Sequence, residues 1–223
     1  MVRFFALLTV IALVLGSAVL TQPVQASTTR APARDGNVPQ TRWTHMPDAM
    51  VWNRAALSAL KGHGQPLAQT VPADVAEWCP HYPEASEDQR RAFWLGFMSA
   101  LAKYESTYQP WAVGGGGRWF GLLQIAPATA RGYGCVAGSG AALKNGAANL
   151  SCAIRIMSVT VPRDGVIALN NGRYGGVAAD WGPMRSEAKR AEMASWLMDQ
   201  PYCQKPQDTR PKSRSPRIMD VSR

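Results

Sequence analysis

The chain has 223 residues, a formal charge of +9, 46% hydrophobic and 17% charged residues, and four cysteines. That is enough for one domain with a real core plus loose ends. With no C-x-x-C and only the scattered His45, His63 and His81, neither a metal nor a cofactor is expected, and no zinc-finger spacing or aromatic RNA-binding motif accompanies the basic charge.

Residues 1–26 read as an export signal: Arg3 is the lone charge, Phe4 to Leu20 is apolar, and Val24-Gln25-Ala26 offers a small-residue cleavage site. The apolar run is long enough that an uncleaved membrane anchor is the alternative. The first cysteine is Cys79, so none follows the apolar run to accept a lipid. The expected product is a periplasmic or secreted bacterial protein of 197 residues and charge +8. Residues 27–41, rich in Thr, Ala, Pro and Arg, read as a flexible leader, and residues 42–204 as the folded domain. Residues 205–223 form a basic tail of charge +4. An exported chain of this sign meets the anionic wall polymer sooner than nucleic acid, and salt should screen that attraction.

Within the domain, Trp52, Ala56 and Leu60 at spacing four predict a short first helix, broken by Lys61-Gly62-His63-Gly64 and Pro66. Trp78-Cys79-Pro80-His81-Tyr82-Pro83 is a rigid aromatic lead-in. Ser86 with Gln89 three residues later predicts a capping box for a helix running to Glu105, and Pro110 bars its continuation. Trp94, Met98, Leu101 and Glu105 share one helical stripe, widened by Phe93, Phe97 and Tyr104. Apart from Glu105, Gln89 to Arg163 contains no Asp or Glu. A carboxyl in apolar surroundings loses hydration and has a raised pKa, so it can hold a proton near neutral pH and deliver it. The plainer reading is a glutamate closing its helix, capped by Ser106 or paired with Arg118.

Gly114 to Gly117 lack the Lys-Ser or Lys-Thr of a phosphate cradle and read as a loop beside a cleft. Leu122, Leu123 and Ile125 read as core. Asn149 is the expected N-cap of the next helix, and Ser186 to Met198 the last one, with Ala188, Ala191, Ala194 or Ser195, and Met198 on one side. An even cysteine set in an exported chain favours disulfides. Cys135 and Cys152 bracket a Gly-rich segment, which pairs them and leaves Cys79 with Cys203, one of three connectivities.

Glu105-Ser106, Tyr108-x-Pro110, Ala112-Val113, the Gly run, Gly121-Leu122-Leu123-Gln124-Ile125, Pro127 and Thr129-Ala130 together resemble the lytic transglycosylase SLT domain. The likeness is tight over 93–150 and looser to Cys203. It implies a mainly α, lysozyme-like (SLT/goose-type) helical domain with a small irregular or β region, disulfide-bonded. It also implies cleavage of peptidoglycan glycan strands at the MurNAc-GlcNAc bond, leaving 1,6-anhydro ends, with Glu105 as the single acid and base. The substrate contacts it implies are Ser106, Trp119, Gly121, Leu122, Gln124, Ile125, Asn149, Tyr174, Asp180 and Trp181. Gln124 would orient an acetamido group, Ser106 would hold Glu105, and Trp119 or Phe120 would stack on a pyranose. The family's usual tyrosine is missing: Leu169 stands in Ala168-Leu169-Asn170-Asn171-Gly172 and Asp180 in Ala179-Asp180-Trp181, with Tyr174 as the nearby substitute. Two other readings stay open, a muramidase activating water with Asp164 or Asp180, and an inactive peptidoglycan-binding protein. A monomer is expected, and the small size fits a partner in an envelope secretion or conjugation assembly.

Overall fold

The computed structural model describes residues 38–205. The export signal, most of the leader and all but the first residue of the basic tail lie outside the described residues.

Among the described residues, eight α-helices and two short hairpins follow one another: α1 Ala49–Lys61, α2 Gln65–Gln69, α3 Glu87–Glu105, β1 Val113–Gly114, β2 Trp119–Phe120, α4 Pro127–Gly132, α5 Gly140–Leu143, α6 Gly146–Asp164, β3 Leu169–Asn170, β4 Arg173–Tyr174, α7 Val177–Asp180 and α8 Glu187–Met198. This is a mainly helical, lysozyme-like fold. The two long helices carry the core. α3 begins at the expected capping box, Ser86 accepting from the Gln89 amide while the Gln89 side chain takes the Ser86 amide. Its stretch from Ala92 to Ala102 is buried on every side, because α1, α2 and α8 all pack on it. α6 packs on α1 and α2 and ends at Gly165, in left-handed conformation with φ 67°.

The aromatic lead-in to α3 is part of this core. Phe93 meets Tyr82, Phe97 meets Trp78, and Trp94 meets both Phe93 and Phe97, all edge-on at centroid distances of 5.0 to 5.4 Å, and the Trp94 indole donates to the Tyr82 hydroxyl at 2.8 Å. The disulfides are Cys79–Cys203 and Cys135–Cys152, with Cα atoms 4.8 and 5.2 Å apart. The first ties the approach to α3 to the end of the domain. In the chain-entropy description, so long a loop contributes about 5 kcal/mol.

One helix start is corrected. α6 starts four residues earlier than expected, with Asn145 as N-cap accepting from the Ala148 amide, so Asn149 lies inside the helix and fully buried. In α8 the buried side is Met193, Ala194 and Leu197. The expected side of the helix faces an open groove of about 720 Å³, which Ala191, Ala194, Ser195 and Met198 line with Trp78, Leu169 and Arg190.

Candidate active site

α3 delivers Glu105 to the edge of the core. The helix stops there because Ser106 leaves helical geometry and the next two residues, Thr107 and Tyr108, adopt φ of 52° and 64°, folding the Tyr108 amide back onto the Ala102 carbonyl. Glu105 is partly buried, and its carboxylate has no hydrogen-bond partner among the described residues. Loss of water pushes its pKa up to about 7, with the Lys189 ammonium pulling weakly the other way. A group so poised is half protonated at neutral pH, as a general acid requires.

The residues flanking Glu105 are fixed from α8. Glu192 receives Arg42 through both guanidinium nitrogens, Lys103 Nζ at 2.8 Å and the Tyr104 hydroxyl at 2.8 Å. These donors hold the Glu192 carboxyl at about 2, well below the usual range, so it is ionised throughout. One turn earlier on α8, Lys189 lies over the Tyr104 ring at 5.2 Å. Two carboxylates beside the same helix end thus have opposite fates: Glu192 is saturated with donors and Glu105 is left dry.

Beyond the turn, the β1–β2 hairpin pairs Val113 with Phe120 and Gly114 with Trp119. A side chain at Gly115, where φ is 58°, would strike the Trp119 ring, so the glycine run is what lets the indole lie flat on the backbone. Trp119 remains 44% exposed, with the Arg118 guanidinium 5.1 Å above its ring. Trp119, Gln124, Ile125, Thr129, Asp180 and Trp181 line one small pocket. Gln124 donates to the carbonyls of Ala112 and Gly121 at 3.2 and 2.9 Å, so only its amide oxygen is left for a ligand. Trp181 is buried and donates to the Leu123 carbonyl at 2.9 Å, forming the pocket's floor. The Asp180 carboxyl has no hydrogen-bond partner among the described residues. Its pKa is raised by loss of water, against the pull of Arg163 and Arg185.

Five of the expected contact residues are therefore gathered around one pocket, and the rest have other work. Ser106 turns its hydroxyl back to the Ala102 carbonyl at 3.4 Å and does not hold Glu105. Leu122 is core. Asn149 is not substrate-facing: its side chain accepts from the Leu123 amide and donates to the carbonyls of Phe120 and Leu143, at 2.9 to 3.0 Å. Gly121, at φ 81°, faces that amide and the Leu143 carbonyl, where a methyl group would have no room, so its missing side chain serves packing and not substrate approach. Tyr174 binds the Arg185 carbonyl at 3.0 Å and borders a separate depression with Asp164. Asp164 itself is consumed by a bidentate pair with Arg163 and by the Gly176 amide at 2.7 Å, which hold its pKa low. It is unsuited to activate water.

Lys189, Glu192 and Arg42 were not legible as neighbours of Glu105, since partners 150 residues apart leave no spacing signal. Trp111, 63% exposed, was passed over as well. An aromatic beside Pro110, just past the helix end, was the available cue. Among the described residues no three His, Cys, Asp or Glu side chains stand close enough to hold a metal, and no helix is long and apolar enough to cross a membrane.

Among solved structures the chain is similar to DslA, a Bdellovibrio protein, in wild-type form and in two variants that each replace a different glutamate by glutamine. Identity to the wild type is 30%, with a TM-score of 0.68 over 74% of this chain and 98% of that one. The variants give 30% and 29% at the same TM-score, over 74% and 75% of this chain and 98% and 99% of theirs. The chain belongs to the DslA family. No protein-family model and no curated protein matches it. The two glutamates replaced in DslA stand eleven positions apart, and no two of the six glutamates here have that separation. This member of the DslA family carries at most one of that pair at the same spacing.

Proposed function

We propose that the protein is a peptidoglycan lytic transglycosylase of the SLT type, cleaving the MurNAc-GlcNAc bond without water, with Glu105 as its only acid and base. The observation that carries this reading is the dry, unpartnered Glu105 carboxyl with a pKa of about 7 at the end of the core helix. Glycosidases that use water or a protein nucleophile need a second carboxylate roughly 5 to 10 Å away. Asp164 is bound elsewhere, Glu192 is held by four donor groups, and no second glutamate follows the DslA spacing.

A single carboxyl suffices when the substrate supplies the other groups. Glu105 in its acid form gives its proton to the glycosidic oxygen as the bond from C1 of the muramic acid breaks. The 2-acetamido oxygen stabilises the cationic C1. Glu105, now a carboxylate, takes the proton of the C6 hydroxyl as O6 bonds to C1, closing the 1,6-anhydro ring. Protons balance and Glu105 is restored. The Gln124 amide oxygen is free to accept from the acetamido N–H, and the exposed part of the Trp119 indole can lie against a sugar ring.

A second reading, hydrolysis with water activated by Asp180, is favoured by one observation: that carboxyl borders the pocket of Gln124 and Trp119 and has no hydrogen bond among the described residues. Mass spectrometry of muropeptides released from purified sacculi separates the two. Anhydro-muramyl ends, absent with Glu105→Gln, support transglycosylation. Reducing ends support hydrolysis, and no release with intact binding supports a wall-binding role.

A further inference from the structure

The β3–β4 hairpin and the end of α6 enclose a depression of about 640 Å³ that the proposed chemistry does not use. We infer that it is a subsite for carboxylates of the peptide stem that peptidoglycan carries on its muramic acid. The inference rests on the wall-glycan reading above and extends it from the sugar backbone to its anionic branch.

The lining is polar and its free charge is positive. Arg163, Asp164, Asn170, Asn171, Arg173 and Tyr174 border it. Asp164 cancels Arg163 through their bidentate pair at 2.7 and 2.8 Å and spends its remaining capacity on the Gly176 amide. Arg173 is exposed and has no ion pair or hydrogen bond among the described residues, which leaves one uncompensated guanidinium. The register pairs Arg173 with Asn170, so the guanidinium and an amide stand side by side at the hairpin end. A guanidinium fork beside side-chain amides suits a planar carboxylate, which can take two parallel N–H donors. The volume fits a few residues of peptide.

The location links this depression to the glycan pocket. Tyr174 pins β4 to the Arg185 carbonyl, and the Arg185 guanidinium binds the carbonyls of Ala178 and Ala179 at 2.9 and 2.7 Å. The next residue is Asp180, which borders the pocket of Trp119 and Gln124 and lies within electrostatic reach of Arg163. A glycan seated at Trp119 would therefore carry its stem past the hairpin. A free guanidinium binds the stem's α-carboxylates more strongly than the hydroxyls of a neutral sugar ring.

The test is direct binding to the full folded protein, independent of turnover. N-acetyl-L-alanyl-D-glutamate, with two free carboxylates, is titrated by NMR beside its diamide. Inorganic phosphate is the third probe. The expected result is saturable binding of the diacid with shifts at the amides of residues 170–176, at least about ten-fold weaker binding of the diamide, and a similar loss in Arg173→Ala that Arg173→Lys partly restores. Equal binding of diacid and diamide, no binding, or phosphate binding as tight as the diacid would overturn the assignment. If sacculi are cleaved while the diacid fails to bind, the subsite is wrong and the enzyme reading stands. If the diacid binds but no glycan is cleaved, the reverse holds.

Discussion

The hydroxyl of Tyr104 donates to the Glu192 carboxylate at 2.8 Å, joining the last turn of α3 to the middle of α8 at the residue just before Glu105. Arg42 and Lys103 converge on the same carboxylate. The end of the Glu105 helix is thereby tied to α8 by a charge cluster centred on Glu192, while the Glu105 carboxyl receives none of those donors.

Removing the anchor should therefore loosen the helix end. Glu192→Ala is expected to cost about 1 to 2 kcal/mol at pH 7, a value discounted for the partial exposure of the cluster. The Glu192 pKa is lowered, so its stabilising effect is full above the ordinary carboxylate value and is lost as pH falls toward about 2. Denaturant unfolding at pH 7 and pH 3 should show a penalty that shrinks in acid. An equal penalty at both values would mean that packing, not charge, is what Glu192 contributes.

Glu105 works in the opposite sense. Its folded-state pKa of about 7 lies above the ordinary 4.5, so wild-type stability is full below about 4.5 and falls as pH rises toward 7, by up to about 3 kcal/mol. Glu105→Gln should match wild type at pH 4, exceed it by about 2 to 3 kcal/mol at pH 8, and release no muropeptides. Wild-type kcat/KM should decline as pH rises through about 7, since the acid must start protonated. A variant less stable than wild type at pH 8 would contradict the dry environment assigned to Glu105.

The contrast between these two glutamates marks how far the sequence could be read. The capping box at Ser86, the apolar run to Leu101, both disulfide pairs and the dry Glu105 followed from local spacing and compartment, because each is a short-range or pairwise constraint. Asn149 misled. Asn145 sits four residues earlier with equal N-cap chemistry, and only the fold reveals that the backbone of Phe120, Leu123 and Leu143 comes to meet Asn149. The Glu192 cluster was invisible because its parts are spread from Arg42 to α8.

The Asn149 cross-link makes a sharp stability prediction. Asn149→Ala removes three hydrogen bonds from a fully buried site and should cost about 2 to 4 kcal/mol. Gly121→Ala should cost at least as much as a typical core lesion, since it adds strain at φ 81° to a clash with the Leu143 carbonyl. Thermal melts of both variants check this. An Asn149→Ala protein as stable as wild type but with a raised KM would restore Asn149 to the substrate.

Trp119 should behave in the opposite way. It is 44% exposed and rests on glycine backbone, so Trp119→Ala should change stability by less than about 1 kcal/mol. Loss of stacking area should raise KM for glycan about ten-fold, with kcat altered less. Steady-state digestion of soluble glycan strands separates the two constants. A fall in kcat alone would place the indole against the reacting bond instead of along the strand.

Asp180 discriminates between the two chemistries at the pocket itself. If Glu105 acts alone, Asp180→Asn keeps the shape and removes only a partly desolvated surface charge, so anhydro products should persist at a rate within about three-fold of wild type. If Asp180 activates water, the same change should remove reducing-end products and cut the rate by about a hundred-fold or more. The mass of the released ends and the rate are read from one digest, so a mixed product in wild type that becomes purely anhydro in Asp180→Asn would assign water activation to Asp180 and ring closure to Glu105.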